Sequence, residues 1–173
     1  MVKRKPKLKP KPITTIEMEI AIANMFGVRR NIIVPNISWG LGLHECDLLI
    51  IRPKTGYAVE VEIKRTFADF KNDFEKQHKH IDRQNRIVEF YYAFPEELYE
   101  KCKDLIPDKA GVILCRSYYN YKKRFRPKAY IKKQAKRISN VRPMNEKEIQ
   151  QATRLAALRI WTLKEKITKY ERK

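Results

Sequence analysis

Four charged residues sit in the chain where a strand pattern leaves little room for water. Tyr57, Val59, Val61 and Ile63 alternate with Ala58, Glu60, Glu62 and Lys64. That period places the apolar set on one face of a strand, and the two carboxylates and the ammonium on the other. The run before it, HECDLLII over 44–51, reads as a second strand, joined to the first by a PKTG turn at 53–56. On it Asp47 falls on the side of Leu49 and Ile51. In a hairpin, Asp47 and Glu62 converge near one end of the strand pair. Two convergent carboxylates and the Ile63 carbonyl are hard oxygen donors that suit Mg²⁺ or Mn²⁺. Lys64, on the face of Glu62, can hold a water or neutralise charge developing on a phosphoryl group. The competing reading is an ion-pair cluster without chemistry, because charges in a covered sheet are costly unless paired or bound to a cation.

The elements that position these residues are legible from spacing. TTIEMEIAIANMF over 14–26 reads as a helix, with Thr14 or Thr15 as N-cap, Glu17 or Met18 three positions on, and Gly27 as its stop. Glu17 and Glu19 stand out on its otherwise apolar surface. NIIV at 31–34 is a short strand ended by Pro35, and Gly40 and Gly42 mark a loop. Phe67, Phe70 and Phe74 recur at helical spacing within 66–80. IVEFYYAF (87–94) is a strand ended by Pro95, PEELYEKC opens a helix, and GVILCR (111–116) is a further buried strand. The order predicts an α/β fold, a mixed central sheet flanked by helices on both faces. A C-terminal helix over 145–167 carries an apolar stripe of Ile149, Ala152, Leu155, Ala156, Ile160, Leu163 and Ile167, with Trp161 beside it. The stripe suits docking on its own body or pairing with a second copy.

Charge divides the chain further. It has 173 residues with a formal net charge of +19. Residues 1–12 contain six basic residues, three prolines and no acid, which reads as an extended, disordered arm. Residues 13–108 contain 13 basic and 16 acidic residues, whereas 109–145 contain 12 basic residues and no acid. The expected organisation is the arm (1–12), an α/β core (13–117), a basic aromatic-rich segment (118–145) and the C-terminal helix (146–173). In the third part Tyr118, Tyr119, Tyr121, Phe125 and Tyr130 interleave with Lys122, Lys123, Arg124, Arg126 and Lys128, and Lys132 and Lys133 follow. Basic groups neutralise phosphates and aromatic faces stack on unpaired bases, so the segment reads as a nucleic-acid surface. No stretch is apolar enough to cross a membrane. Cys46, Cys102 and Cys115 are too scattered for a disulfide framework or a zinc site, and read as reduced thiols of a cytoplasmic protein. His78 and His80, two apart on a helix, are poorly spaced for a metal pair, and His44 alternates to the side opposite Asp47.

Asp47, followed after a hairpin by Glu62-Ile63-Lys64, resembles the D…(D/E)-x-K signature of the PD-(D/E)XK nuclease superfamily. The element order is similar to its αβββαβ core. The longer stretches HECDLLIIRPKTGYAVEVEIKRTFADFKNDFEKQHKH and FYYAFPEEL…LIP…AGVILC are similar to the MmcB-type branch, small DNA-repair or phage-associated proteins. One departure is Cys46, where the family places Pro before the Asp. The resemblance implies metal-dependent hydrolysis of DNA phosphodiesters in repair, recombination or phage DNA processing. It makes Asp47 and Glu62 metal ligands and Lys64 the catalytic lysine. A helix carboxylate would orient the attacking water, Glu19 first and Glu17 as the alternative. Glu60 is an accessory ligand or a partner for Lys64, and Gln77 a loose match to a supporting Gln. The alternative is a nucleic-acid-binding protein on a nuclease-like fold that does not cut. An RNA-binding accessory role shares the charge but leaves the carboxylates unexplained.

Overall fold

A computed structural model describes residues 12–37, 45–75, 86–119 and 125–171. The elements are α1 (Thr15–Phe26), β1 (Ile32–Ile37), β2 (Cys46–Ile51), β3 (Ala58–Ile63), α2 (Phe67–Glu75), β4 (Ile87–Pro95), α3 (Tyr99–Cys102), β5 (Gly111–Tyr119), β6 (Phe125–Lys133) and α4 (Glu146–Glu171). The six strands form one sheet in chain order. β1, β2 and β3 pair antiparallel, β3, β4 and β5 pair parallel, and β6 returns antiparallel to β5. The fold is therefore α/β with a mixed sheet, and helical segments make the parallel crossovers, as such connections require.

Alternation on the strands divides the core. Leu48, Ile50, Val59, Val61, Tyr91, Ala93 and Ile113 face α1, which buries Met18, Ala21 and Ile22 against them. On the opposite face Phe90, Tyr92, Phe94, Val112 and Leu114 pack under Phe70 of α2 and Cys102 of α3. α4 covers the same face further along, where Ala152 meets Val34, Leu49 and Ile51. All three cysteines are free and buried, and burial pushes the Cys115 thiol up to about 12, so it stays protonated. Among the described residues no helix is long and apolar enough to cross a membrane.

Three expectations change. Pro35 does not end the first strand, which continues to Ile37 with Pro35 opposite Leu48. β1 is an edge strand, where a missing N–H breaks no inner ladder bond. The segment from 118 to 145 is not an attachment outside the core. Its residues Phe125–Lys133 form β6, and Ala135 and Met144 enter the core after it. Basic side chains on an edge strand masked that strand, because their alternation with buried Ala129 is short. The stripe on α4 also splits in two. Ile149, Leu155 and Ala156 pack on the body, whereas Ile160, Trp161, Leu163, Ile167 and Tyr170 are exposed.

Several contacts tie the C-terminal part to the sheet. The Met144 N–H donates to the Gly56 carbonyl at the β2–β3 turn. Gly56 has a φ of +70°, and a Cβ there would lie 2.8 Å from the Met144 carbonyl oxygen. At the start of α4, Asn145 and Glu148 cap each other through backbone N–H groups, and Arg142 makes two 2.8 Å bonds to the Glu148 carboxylate. Arg86 pairs with the same carboxylate at 3.0 Å. These bonds, those from Arg142 above all, hold the Glu148 carboxyl down at about 2.

Gly56→Ala combines a left-handed backbone with a clash against main chain that cannot swing away. It should cost about 1–3 kcal/mol, read from the urea midpoint. Glu148 contributes its stability above its ordinary value of 4.5 and loses it as pH falls toward about 2. Glu148→Gln should therefore cost about 1–3 kcal/mol at neutral pH and little near pH 2, measured as denaturation midpoints at both.

Candidate active site

Ladder pairing between β2 and β3 ends at Leu48 opposite Val61. One residue beyond, a side chain takes over from the backbone. The Asp47 carboxylate accepts the Ile63 N–H at 2.7 Å. Asp47 is thereby seated against the end of β3, beside Glu62. β3 itself continues along β4, where the Lys64 N–H donates to the Ala93 carbonyl. This fixes the backbone from Glu62 to Lys64 between Asp47 on one side and β4 on the other.

Glu62 and Lys64 are each 7 % exposed, and Glu60 is fully buried. Lys64 Nζ lies 3.1 Å from a Glu62 oxygen and 3.1 Å from an Asp73 oxygen. Asp73 comes from α2. The Thr66 hydroxyl accepts the Asp69 N–H and starts that helix, Phe70 anchors it in the core, and Asp73 follows one helical step on. The Tyr92 hydroxyl of β4 donates to the other Asp73 oxygen at 3.4 Å.

The electrostatics follow from burial and from an excess of acid. Burial pushes the Glu62 carboxyl up, the charge of Asp47 adds to this, and Lys64 opposes it, for a value of about 7. The Asp47 carboxyl is raised by burial and held back by the Ile63 N–H and Lys64. For Lys64 burial works downward, but Glu62 and Asp73 outweigh it and hold the ammonium above its ordinary value. One cation thus serves several carboxylates. It is firmly charged, while the carboxylates around it are incompletely compensated.

A cap separates the two helix carboxylates in space. Thr14 is the N-cap of α1, its hydroxyl accepts the Glu17 N–H, and Glu17 returns the bond to the Thr14 N–H at 2.7 Å. Glu17 is thereby held at the helix start. Glu19 instead reaches the sheet end. Burial raises its carboxyl, a hydrogen bond from Asn36 lowers it, and the charge of Asp47 raises it again.

The expected residues separate accordingly. Asp47, Glu62, Ile63, Lys64 and Glu19 gather at one end of β2 and β3. Glu60 lies further back in the sheet, between Leu49 and Phe90. Gln77, His44, His78, His80, Lys122, Lys123 and Arg124 lie outside the described residues. Lys132 stands over the Tyr99 ring, and Lys133 donates to the Pro107 carbonyl. Arg126 and Lys128 are exposed near the start of β6. Asp73 was missed from sequence, because an acid between the phenylalanines of an amphipathic helix looks like its solvated face.

The oxygen donors fit a hard divalent cation in chemical type, and the Ile63 N–H occupies one Asp47 oxygen. Among the described residues no three acidic, His or Cys side chains converge at metal-ligand spacing.

No family model matches the chain, and no curated protein does. Among solved structures it is similar to the SPO1766 protein of unknown function from Silicibacter pomeroyi, at 20 % identity and a TM-score of 0.61, over 91 % of this chain and 94 % of that one. The likeness supports the fold.

The raised Glu62 carboxyl sets a pH dependence. Folding takes up a proton between the ordinary value of 4.5 and about 7, so stability falls as pH rises through that window. Glu62→Gln should flatten part of that fall in urea midpoints taken across it. A slope equal to that of the unsubstituted chain would contradict the assignment.

Proposed function

We propose that the chain is a divalent-metal-dependent deoxyribonuclease, acting at the end of the sheet where Asp47, Glu62, Lys64 and Glu19 meet. The observation that carries this reading is the convergence of Asp47 and Glu62 from neighbouring strands, each raised above its ordinary value, beside a charged lysine. Such an excess of buried carboxylate is the charge pattern that a bound cation relieves.

Asp47, Glu62 and the Ile63 carbonyl would hold Mg²⁺ or Mn²⁺. When bound, such an ion supplies Lewis acidity toward a phosphoryl oxygen and lowers the pKa of water. The chain's own part begins with Lys64. Its Nζ, steadied by Asp73, sits where negative charge grows on the phosphoryl oxygens. Glu19, half-buried beside Asp47, orients the attacking water and accepts its proton at the carboxylate. Asp47 also keeps the Ile63 carbonyl in place through the bond to that residue's N–H.

One observation favours a second reading. Lys64 already bridges Glu62 and Asp73. A lysine already engaged by two carboxylates suits a protein that binds nucleic acid and does not cut it.

Incubation of plasmid DNA with the full chain and Mn²⁺ separates the two. The nuclease reading expects cleavage that falls about 100-fold or more in Asp47→Asn and Lys64→Ala. Glu17→Gln, which preserves the capping box, should retain it. Cleavage unchanged in Asp47→Asn and Lys64→Ala would sink the site assignment. Salt-sensitive DNA binding with no hydrolysis under any divalent metal would establish the binder.

A further inference from the structure

The sheet does not end evenly at the candidate site. β3, β4 and β5 run parallel, so their C-terminal ends share the edge that carries Glu62 and Lys64. β4 stops at Pro95, opposite Cys115. β5 continues through Arg116–Tyr119, four residues further, still paired with β6 as Arg116 opposite Lys128, Ser117 opposite Pro127, Tyr118 opposite Arg126 and Tyr119 opposite Phe125. At roughly 3.4 Å per residue this two-stranded ribbon projects about 14 Å beyond the last rung of β4.

Among its described residues the charge is one-sided. Directly opposed residues of an antiparallel pair share a face, and alternate residues on a strand do too. Arg116, Lys128 and Arg126 therefore lie on the face of Leu114 and Tyr130, which is also the face of Tyr92 and Glu62. Arg116 stands over the Tyr130 ring at 5.8 Å, with Glu96 at 3.8 Å. Arg126 and Lys128 are exposed, and no described acid pairs with either.

We propose that this ribbon is the docking surface for double-stranded B-form DNA, entering its major groove with Arg116, Arg126 and Lys128 against the flanking phosphates. The inference rests on the reading of the neighbouring cluster as a phosphodiester site, and it names the form of the substrate. The B-form major groove is about 12 Å wide and about 8.5 Å deep and admits a two-stranded β-ribbon. The projecting length exceeds that depth. β3 lies two strand spacings from β5, about 10 Å. A ribbon seated in the groove thus brings Lys64 to the sugar-phosphate backbone along its rim. The A-form major groove of duplex RNA is too deep and narrow for the same entry.

The test is fluorescence anisotropy with the full chain, a labelled DNA duplex and an RNA duplex of the same sequence, over a range of salt. Arg126→Ala/Lys128→Ala should weaken DNA duplex binding about tenfold or more at low salt. The slope of log K against log salt should drop by about 1.8, the contribution of two phosphates. Lys147→Ala/Arg154→Ala removes the same charge from α4 and should change affinity less than twofold. Melting curves confirm that both variants are folded. Unchanged affinity and slope in the ribbon variant, an equal loss in the α4 variant, or equally tight binding to the RNA duplex would each overturn the inference. The two readings fail separately. Ribbon-dependent duplex binding without cleavage defeats the nuclease and keeps the ribbon. Cleavage that needs Asp47 and Lys64 but ignores Arg126 and Lys128 does the reverse.

Discussion

Lys64 ties three elements together. Its own backbone extends β3 along β4, and its Nζ meets Glu62 of β3 and Asp73 of α2 at 3.1 Å each. Asp73 in turn takes the Tyr92 hydroxyl of β4. Removing a buried cation from such a group would leave carboxylates facing each other in a poor solvent, at a cost of several kcal/mol. The position of α2 over the sheet and the aim of the acidic side chains therefore depend on the same charge. The balance is incomplete, since Glu62 stays raised to about 7 beside it.

The rest of the architecture closes the opposite end of the sheet. Met144 is bonded to the β2–β3 turn at Gly56, and Ile138 to Val88, so the segment after β6 runs over the far end. α1 buries its apolar face on one side and brings Glu19 to the near end. Helices α2 and α3 cover the other side. The basic ribbon of β5 and β6 leaves the sheet at the same end as the carboxylates. The carboxylates of the cluster and the basic residues of the ribbon thus belong to different elements, the first held in the sheet and the second displayed beyond it.

Much of the site was legible because strand alternation has a period of two and needs no partner to be read. Glu62 and Lys64 share a face on that basis alone, and Asp47 is placed by the turn that joins its strand to theirs. The choice between Glu17 and Glu19 was not legible. Which of Thr14 and Thr15 caps the helix shows only in the reciprocal bonds of Thr14 with Glu17, which hold Glu17 at the helix start and leave Glu19 to face the sheet end. β6 was hidden because an edge strand can keep charged residues at most positions, and its pattern then looks like a solvated segment.

The sequence by itself determined the strand hairpin, the face that carries Glu60, Glu62 and Lys64, the helices that flank the sheet, and the concentration of basic residues in 1–12 and 109–145 beside a slightly acidic 13–108. Each rests on local periodicity, turn chemistry or charge counting. Tertiary structure alone decided that Asp73 holds Lys64, that Asp47 seats on the Ile63 N–H, and that β6 joins β5 in a ribbon beside the site. Those relations join residues on different elements through hydrogen bonds and shared burial. Spacing along one strand or helix carries no record of them.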